Sequence, residues 1–169
     1  MPYVIGCTLV RSEPDHHRTF TITPEYLEHT TRGMSAGDQW WGDYGIELSR
    51  NFRALKAWMM IKETGMVRFG RLIRQNVEQA QYLARLVDES PVLERIAPAP
   101  LNIVCFRYVS PRLNPDRLNA LNQELLLRLH ESGKVLVSYT TLNGKYALRA
   151  AVTNHRSRRA DFDLLVDEV

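Results

Sequence analysis

Tyr44-Gly45-Ile46-Glu47-Leu48-Ser49-Arg50-Asn51-Phe52-Arg53-Ala54-Leu55-Lys56-Ala57-Trp58 is the stretch on which the interpretation of this chain turns. It sets a serine and an arginine where an extended, glycine-punctuated segment gives way to helical periodicity. Phe52, Leu55, Trp58 and Met59 supply the apolar stripe of a helix running to about Thr64, with Ser49 as its N-cap and Gly65 as its stop. A helix start that combines a hydroxyl, open backbone N–H groups and a guanidinium can hold an anion such as phosphate. Plain N-capping without any ligand fits the same residues.

Downstream, Met66, Phe69, Leu72, Ile73, Val77, Ala80, Leu83 and Val87 recur at three- and four-residue steps, so a second helix is expected up to Ser90-Pro91. A small α/β unit follows. Leu101 to Tyr108 reads as a strand; Asn114-Pro115 opens a helix with Leu118, Leu121, Leu125 and Leu129 on its inner face, closed by Gly133. Val135 to Thr141 and Tyr146 to Thr153 read as two strands joined through Asn143-Gly144, and Phe162, Leu165, Val166 and Val169 mark a last helix after Ser157. Upstream, Tyr3 to Val10 is an almost continuous apolar run, the pattern of a buried strand, closed by a turn at Arg11-Ser12-Glu13-Pro14-Asp15. Such a strand needs sheet neighbours, either in residues that precede Met1 or in the C-terminal sheet. Thr19 to Glu47 has no sustained periodicity and reads as a mobile loop in which Thr23-Pro24-Glu25 opens a short helical turn carrying Tyr26 and Leu27.

Composition narrows the function classes. The net charge of +3 is spread along the chain, without the clustered basic face of a nucleic-acid-binding protein; Arg156, Arg158 and Arg159 read as a solvated face. Cys7 and Cys105 each sit in an apolar run, as buried reduced thiols of a cytosolic protein would. No apolar run reaches membrane-spanning length and no secretory leader is evident, so a cytoplasmic protein without membrane contact is expected. His16 and His17 beside Asp15 have no third ligand at metal spacing; a solvated turn is expected there and no metal site.

Taken with Thr23-Pro24-Glu25-Tyr26-Leu27 and Tyr146-Ala147-Leu148-Arg149, the Leu48 to Lys56 run resembles the pyridoxal-phosphate-dependent amino-acid decarboxylases, the family of the aromatic-L-amino-acid and glutamate enzymes. The run is closer to the aromatic branch, although Asn51 stands where arginine is common. The resemblance covers essentially the whole chain and implies an α/β fold, the C-terminal portion of a fold type I enzyme. On that template residues 1–48 end the large cofactor-binding domain and carry the catalytic loop, 49–90 are linking helices, and 91–169 form the small C-terminal α/β domain.

The same resemblance implies roles. The backbone at Leu48 and Ser49, with Arg50, contacts the phosphate of pyridoxal 5'-phosphate held in the neighbouring subunit, which implies a homodimer with shared active sites. Tyr26 is the proton donor that returns a proton to Cα after carbon dioxide leaves; considered apart from the family, it is a loop tyrosine packing its ring. Arg149 meets the carboxylate of the amino-acid substrate, and His29 lines the pocket. Within an apolar strand Arg149 is costly to bury unpartnered, so an ion pair with Asp or Glu at the strand edge is the structural alternative. The family's cofactor-anchoring lysine would fall just before Met1, and none of Lys56, Lys62, Lys134 and Lys145 follows a histidine as that lysine does. The expectation is a decarboxylase portion inactive by itself; the alternative is a non-catalytic dimerisation or binding module that pairs with another chain.

Overall fold

The computed structural model describes residues 5–21, 32–33, 36–37 and 40–169, and the chain divides into two compact units, Met1–Gly65 and Met66–Val169. Tyr26 and His29, with the helical turn expected at Thr23-Pro24-Glu25, lie outside the described residues.

In the first unit the expected turn after Arg11 is a helix, α1 (Glu13–Phe20). Ser12 is its N-cap, with Oγ accepting from the Asp15 N–H at 3.4 Å. Pro14 sits in the first turn, where its missing N–H leaves no intrahelical bond unmade. His16 and His17 therefore stand on a helix and not in a turn. Both rings meet Tyr44 edge-on, and the Tyr44 hydroxyl donates to Glu13, so α1 packs against the short 3-10 helix Trp41–Tyr44. The side chain of His17 also reaches buried Asp43, with Nε2 3.3 Å from Oδ2.

Residues 5–10 are not a strand: Leu9 is 94% exposed, and Cys7 is exposed where a buried thiol was expected. An apolar run becomes a strand only with a partner to bond to, and no strand occurs among the described residues of this unit. The next helix, α2 (Ala54–Thr64), begins five residues later than Ser49. Arg53 occupies its N-cap position without a side-chain cap, because a tight turn from Asn51, closed by the Arg53 N–H on the Asn51 carbonyl at 2.7 Å, precedes the first helical turn. Gly65 ends α2 at a φ of 76°, as anticipated.

The second unit opens with α3 (Met66–Glu89), whose later turns bury Ala80, Leu83, Ala84 and Val87. Four strands follow: β1 (Leu93–Arg95), β2 (Ile103–Tyr108), β3 (Ser138–Leu142) and β4 (Lys145–Ala151), antiparallel in the order β1-β2-β4-β3. β1 was not anticipated; three residues carry too little alternation to register. Between β2 and β3 runs α4 (Pro115–Ser132), with the Asn114 side chain accepting from the Arg117 N–H at 2.9 Å and Gly133 left-handed at its end. The chain closes with α5 (Arg159–Glu168), where Asp161 accepts from the Arg158 N–H at 2.8 Å.

Val104, Phe106, Leu148 and Ala150 of the sheet pack with Leu83, Val87, Leu129 and Phe162 of the helices, so the core lies on one sheet face. Two expectations change here. The buried positions of α4 are Leu118, Asn122, Leu126 and Leu129, while Leu121 is 36% exposed and Leu125 only partly buried. Asn122 takes the inner position because its amide exchanges bonds with the Tyr108 backbone, 2.8 Å from the N–H and 3.0 Å to the carbonyl. β3 begins at Ser138 and not at Val135, since the Val137 carbonyl is bonded to His130 Nε2 at 2.8 Å and is not spent on the sheet ladder.

Candidate functional site

The hairpin turn decides which side chains share the outer face of the sheet. Asn143 and Gly144 both have positive φ, 51° and 76°, the two-residue turn that matches strand twist. It sets Leu142 opposite Lys145 and, counting outward, Ser138 opposite Arg149; on the other side of β4, Arg149 faces Cys105. Side chains alternate along a strand, so Lys145, Ala147 and Arg149 share the face turned away from the core with Cys105, Arg107 and Glu94.

That face carries three cations. Arg107, almost fully buried, reaches Glu94 with Nη2 2.7 Å from Oε2, and Lys145 Nζ lies 2.7 Å from Glu94 Oε1. The Lys145 hydrogen bond holds the Glu94 carboxyl below the usual range, opposed by partial burial and assisted by Arg107. Arg149 differs. Among the described residues it has no carboxylate partner, so the ion pair allowed by its sequence context is not formed there; Nη1 donates instead to Ser138 Oγ at 3.3 Å. The Cys105 thiol beside it is pushed up by burial, with the Arg149 charge acting the other way. Arg149 and Ser138 line, with Lys134, Asn154, Phe162 and Leu165, a groove of about 390 Å³.

In the first unit, Leu48, Ser49 and Arg50 form an exposed bend after the 3-10 helix. Arg50 Nη2 donates to the carbonyls of Trp41 and Glu47 at 3.0 and 3.1 Å. Gly45 permits that approach: a Cβ there would sit 3.2 Å from Nη2. Among the described residues the N–H groups of Leu48 and Ser49 have no backbone acceptor, so two donors of this bend are open. These donors come from a bend and not from a helix terminus, so any anion they hold is gripped by individual N–H groups without the dipole of α2.

Ser138 and the Glu94 bridge were missed in the sequence. Ser138 was within reach, since a two-residue turn at Asn143-Gly144 fixes its pairing with Arg149. Glu94 was not, because β1 gave no signal of its own. Among the described residues no group of three or more His, Cys, Asp or Glu side chains is placed to hold a metal ion, and no described helix is long and apolar enough to cross a membrane.

Known proteins supply independent findings. The family model described as the pyridoxal-dependent decarboxylase conserved domain matches residues 2–109. An aromatic-L-amino-acid decarboxylase of Bacillus atrophaeus is 33% identical over 157 residues, covering 92% of this chain and 32% of that protein. Tyrosine decarboxylase 2 of Narcissus pseudonarcissus is 36% identical over 136 residues, covering 80% of this chain and 27% of that one. The crystal structure of Catharanthus roseus tryptophan decarboxylase in complex with L-tryptophan superposes with a TM-score of 0.68 at 28% identity, over 89% of this chain and 31% of that one. The chain thus spans about a third of the length of these relatives. The expected α/β fold, that of a portion of a fold type I enzyme, is borne out by this likeness, and the chain belongs to the pyridoxal-dependent decarboxylase family.

Proposed function

We propose that the chain is the C-terminal part of a homodimeric pyridoxal-phosphate-dependent decarboxylase that removes carbon dioxide from an L-amino acid, aromatic substrates being favoured, and leaves an amine. The observation that carries this is the state of Arg149: two of the three outer-face cations are matched to Glu94, while Arg149 is held by a neutral hydroxyl. A guanidinium so placed is suited to bidentate capture of an incoming carboxylate. When bound, the cofactor supplies the electron-withdrawing ring that makes loss of carbon dioxide feasible. The open N–H groups of Leu48 and Ser49 fit its phosphate, and Arg50, braced on the Trp41 and Glu47 carbonyls, adds positive charge beside them.

In this reading Arg149 orients the substrate by its carboxylate, His29 lines the pocket, and Tyr26 delivers a proton to Cα once carbon dioxide has gone. Lys134 and Lys145 are engaged with Glu168 and Glu94, and Lys56 and Lys62 belong to α2, so none of these four is offered as the anchor of the cofactor, and the activity is proposed for the complete enzyme. Homodimer formation is supported by the apolar surface of the first unit, where Phe52, Trp58 and Met59 are 73%, 58% and 58% exposed.

The test grafts residues 1–169 in place of the matching segment of a complete decarboxylase relative and measures amine release from aromatic amino acids. Tyr26→Phe is expected to lose most amine production while retaining cofactor absorbance. Arg149→Lys is expected to raise KM, because a point charge replaces a two-pronged donor. Full amine production from the first variant would remove Tyr26 from the mechanism, and an unchanged KM in the second would remove Arg149.

A further inference from the structure

We infer that Ser138 is a positioning residue for Arg149, clasping one end of the guanidinium so that its Nε–Nη2 edge is presented to the carboxylate; this rests on the carboxylate role proposed above for Arg149. The geometry is a closed exchange between directly opposed residues of β3 and β4. Ser138 Oγ donates to the Arg149 carbonyl at 3.0 Å and accepts from Arg149 Nη1 at 3.3 Å. A serine hydroxyl has one proton. With that proton committed to the carbonyl, the oxygen can act toward the guanidinium only as an acceptor, and it offers no donor that would compete for the incoming anion.

A guanidinium has five N–H donors in a rigid fork. The Ser138 contact uses Nη1 and leaves Nε and Nη2, the side-on pair whose parallel N–H bonds match the two oxygens of a carboxylate. The opposite neighbour gives no comparable hold, since Cys105 on β2 offers only a thiol, a weak hydrogen-bonding group. Restraint therefore comes from the β3 side alone. Ser138 itself is exposed, so its removal leaves no cavity in the core.

The experiment uses the graft of residues 1–169 in a complete decarboxylase relative, with ¹⁵N-labelled arginine, and follows the Arg149 side-chain resonances, assigned through Arg149→Lys. The probes are 3-phenylpropionate, a carboxylate without an amine, and 2-phenylethylamine, an amine without a carboxylate. The carboxylate alone is expected to shift the Arg149 Nε–Hε resonance. Ser138→Ala should weaken that response about 3- to 10-fold, the worth of one ordinary hydrogen bond at an exposed site. Ser138→Thr, which keeps the hydroxyl, should restore it, with thermal unfolding unchanged in both variants. In the unliganded graft Ser138→Ala should also speed rotation of the Arg149 guanidinium. Carboxylate binding and rotation that are both indifferent to Ser138→Ala would overturn the positioning role and leave the Arg149 reading intact. A wild-type Arg149 resonance that ignores 3-phenylpropionate would overturn the carboxylate reading, and the positioning role with it.

Discussion

Asn122 is the most demanding test of how the second unit is held together. It is fully buried on α4, and its amide satisfies both backbone groups of Tyr108 at the end of β2 while Nδ2 also donates to the Leu118 carbonyl at 2.8 Å. Asn122→Ala leaves the Tyr108 N–H and carbonyl without their partner at the helix–sheet seam. Each orphaned group costs about 1–3 kcal/mol, so the variant should lose about 2–6 kcal/mol. For a cooperative unit the length of Met66–Val169, at about 4–8 °C per kcal/mol, the melting temperature should fall by about 8 °C or more. Asn122→Asp keeps the acceptor for the Tyr108 N–H but sets a charge against two carbonyls, and should be no more stable at pH 7. The assay is thermal unfolding by circular dichroism together with hydrogen exchange at the Tyr108 amide. A fall under about 3 °C in Asn122→Ala, with Tyr108 exchange unchanged, would refute the idea that this amide joins α4 to the sheet.

Two further predictions follow from the same unit. Glu94 is held below the usual carboxylate range by Lys145 and Arg107, so its contribution is present above the unfolded value of about 4.3 and is lost as pH falls through the lower folded value. Urea unfolding across pH 2–7 should therefore show a loss of stability on the acid side that is flattened in Glu94→Gln; identical acid limbs would contradict the bridge. Gly144→Ala should cost about 1 kcal/mol, because φ is 76° while nothing lies within 4 Å of the added Cβ. An unchanged urea midpoint would mean that the turn relaxes without strain.

Helix periodicity and turn chemistry carried most of the second unit. Asn114-Pro115, Gly133 and Asn143-Gly144 act through local backbone rules that no tertiary contact overrides, and each stands where it was expected. What needed the fold was polar pairing. Nothing in the spacing of α4 says that Asn122 belongs inside while Leu121 belongs at the rim; that follows from the Tyr108 backbone needing a partner. The run at residues 5–10 failed in the opposite sense, since apolar composition states a need for neighbours without providing them. At the site, Arg149 was legible as a cation in an apolar strand, but that two of its face-mates share Glu94 and it does not is a fact of register. Ser49 was misplaced as a cap because Ser-Arg before an apolar stripe reads as a helix start, whereas the Asn51 turn delays that start to Ala54.

The apolar stripe of α3 is satisfied over only part of its length, and geometry explains why. A helix of 24 residues is about 36 Å long, whereas strands of three to seven residues cover only the turns they lie beside. Ala80, Leu83 and Val87 meet the sheet and are buried, while Met66 and Ile73, earlier on the same face, are 62% and 50% exposed. Both halves carry the same periodicity, so the pattern records which face is apolar and not what covers it. Removing such surface from water is worth about 25 cal/mol per Å², and side chains of this size left bare in succession are a persistent drive toward association. The uncovered half of α3 is thus one surface from which a larger assembly would remove apolar area from water. Introducing charge at Met66 and Ile73 should therefore impair assembly of a complete enzyme while sparing the fold of Met66–Val169, whose core begins only at Ala80.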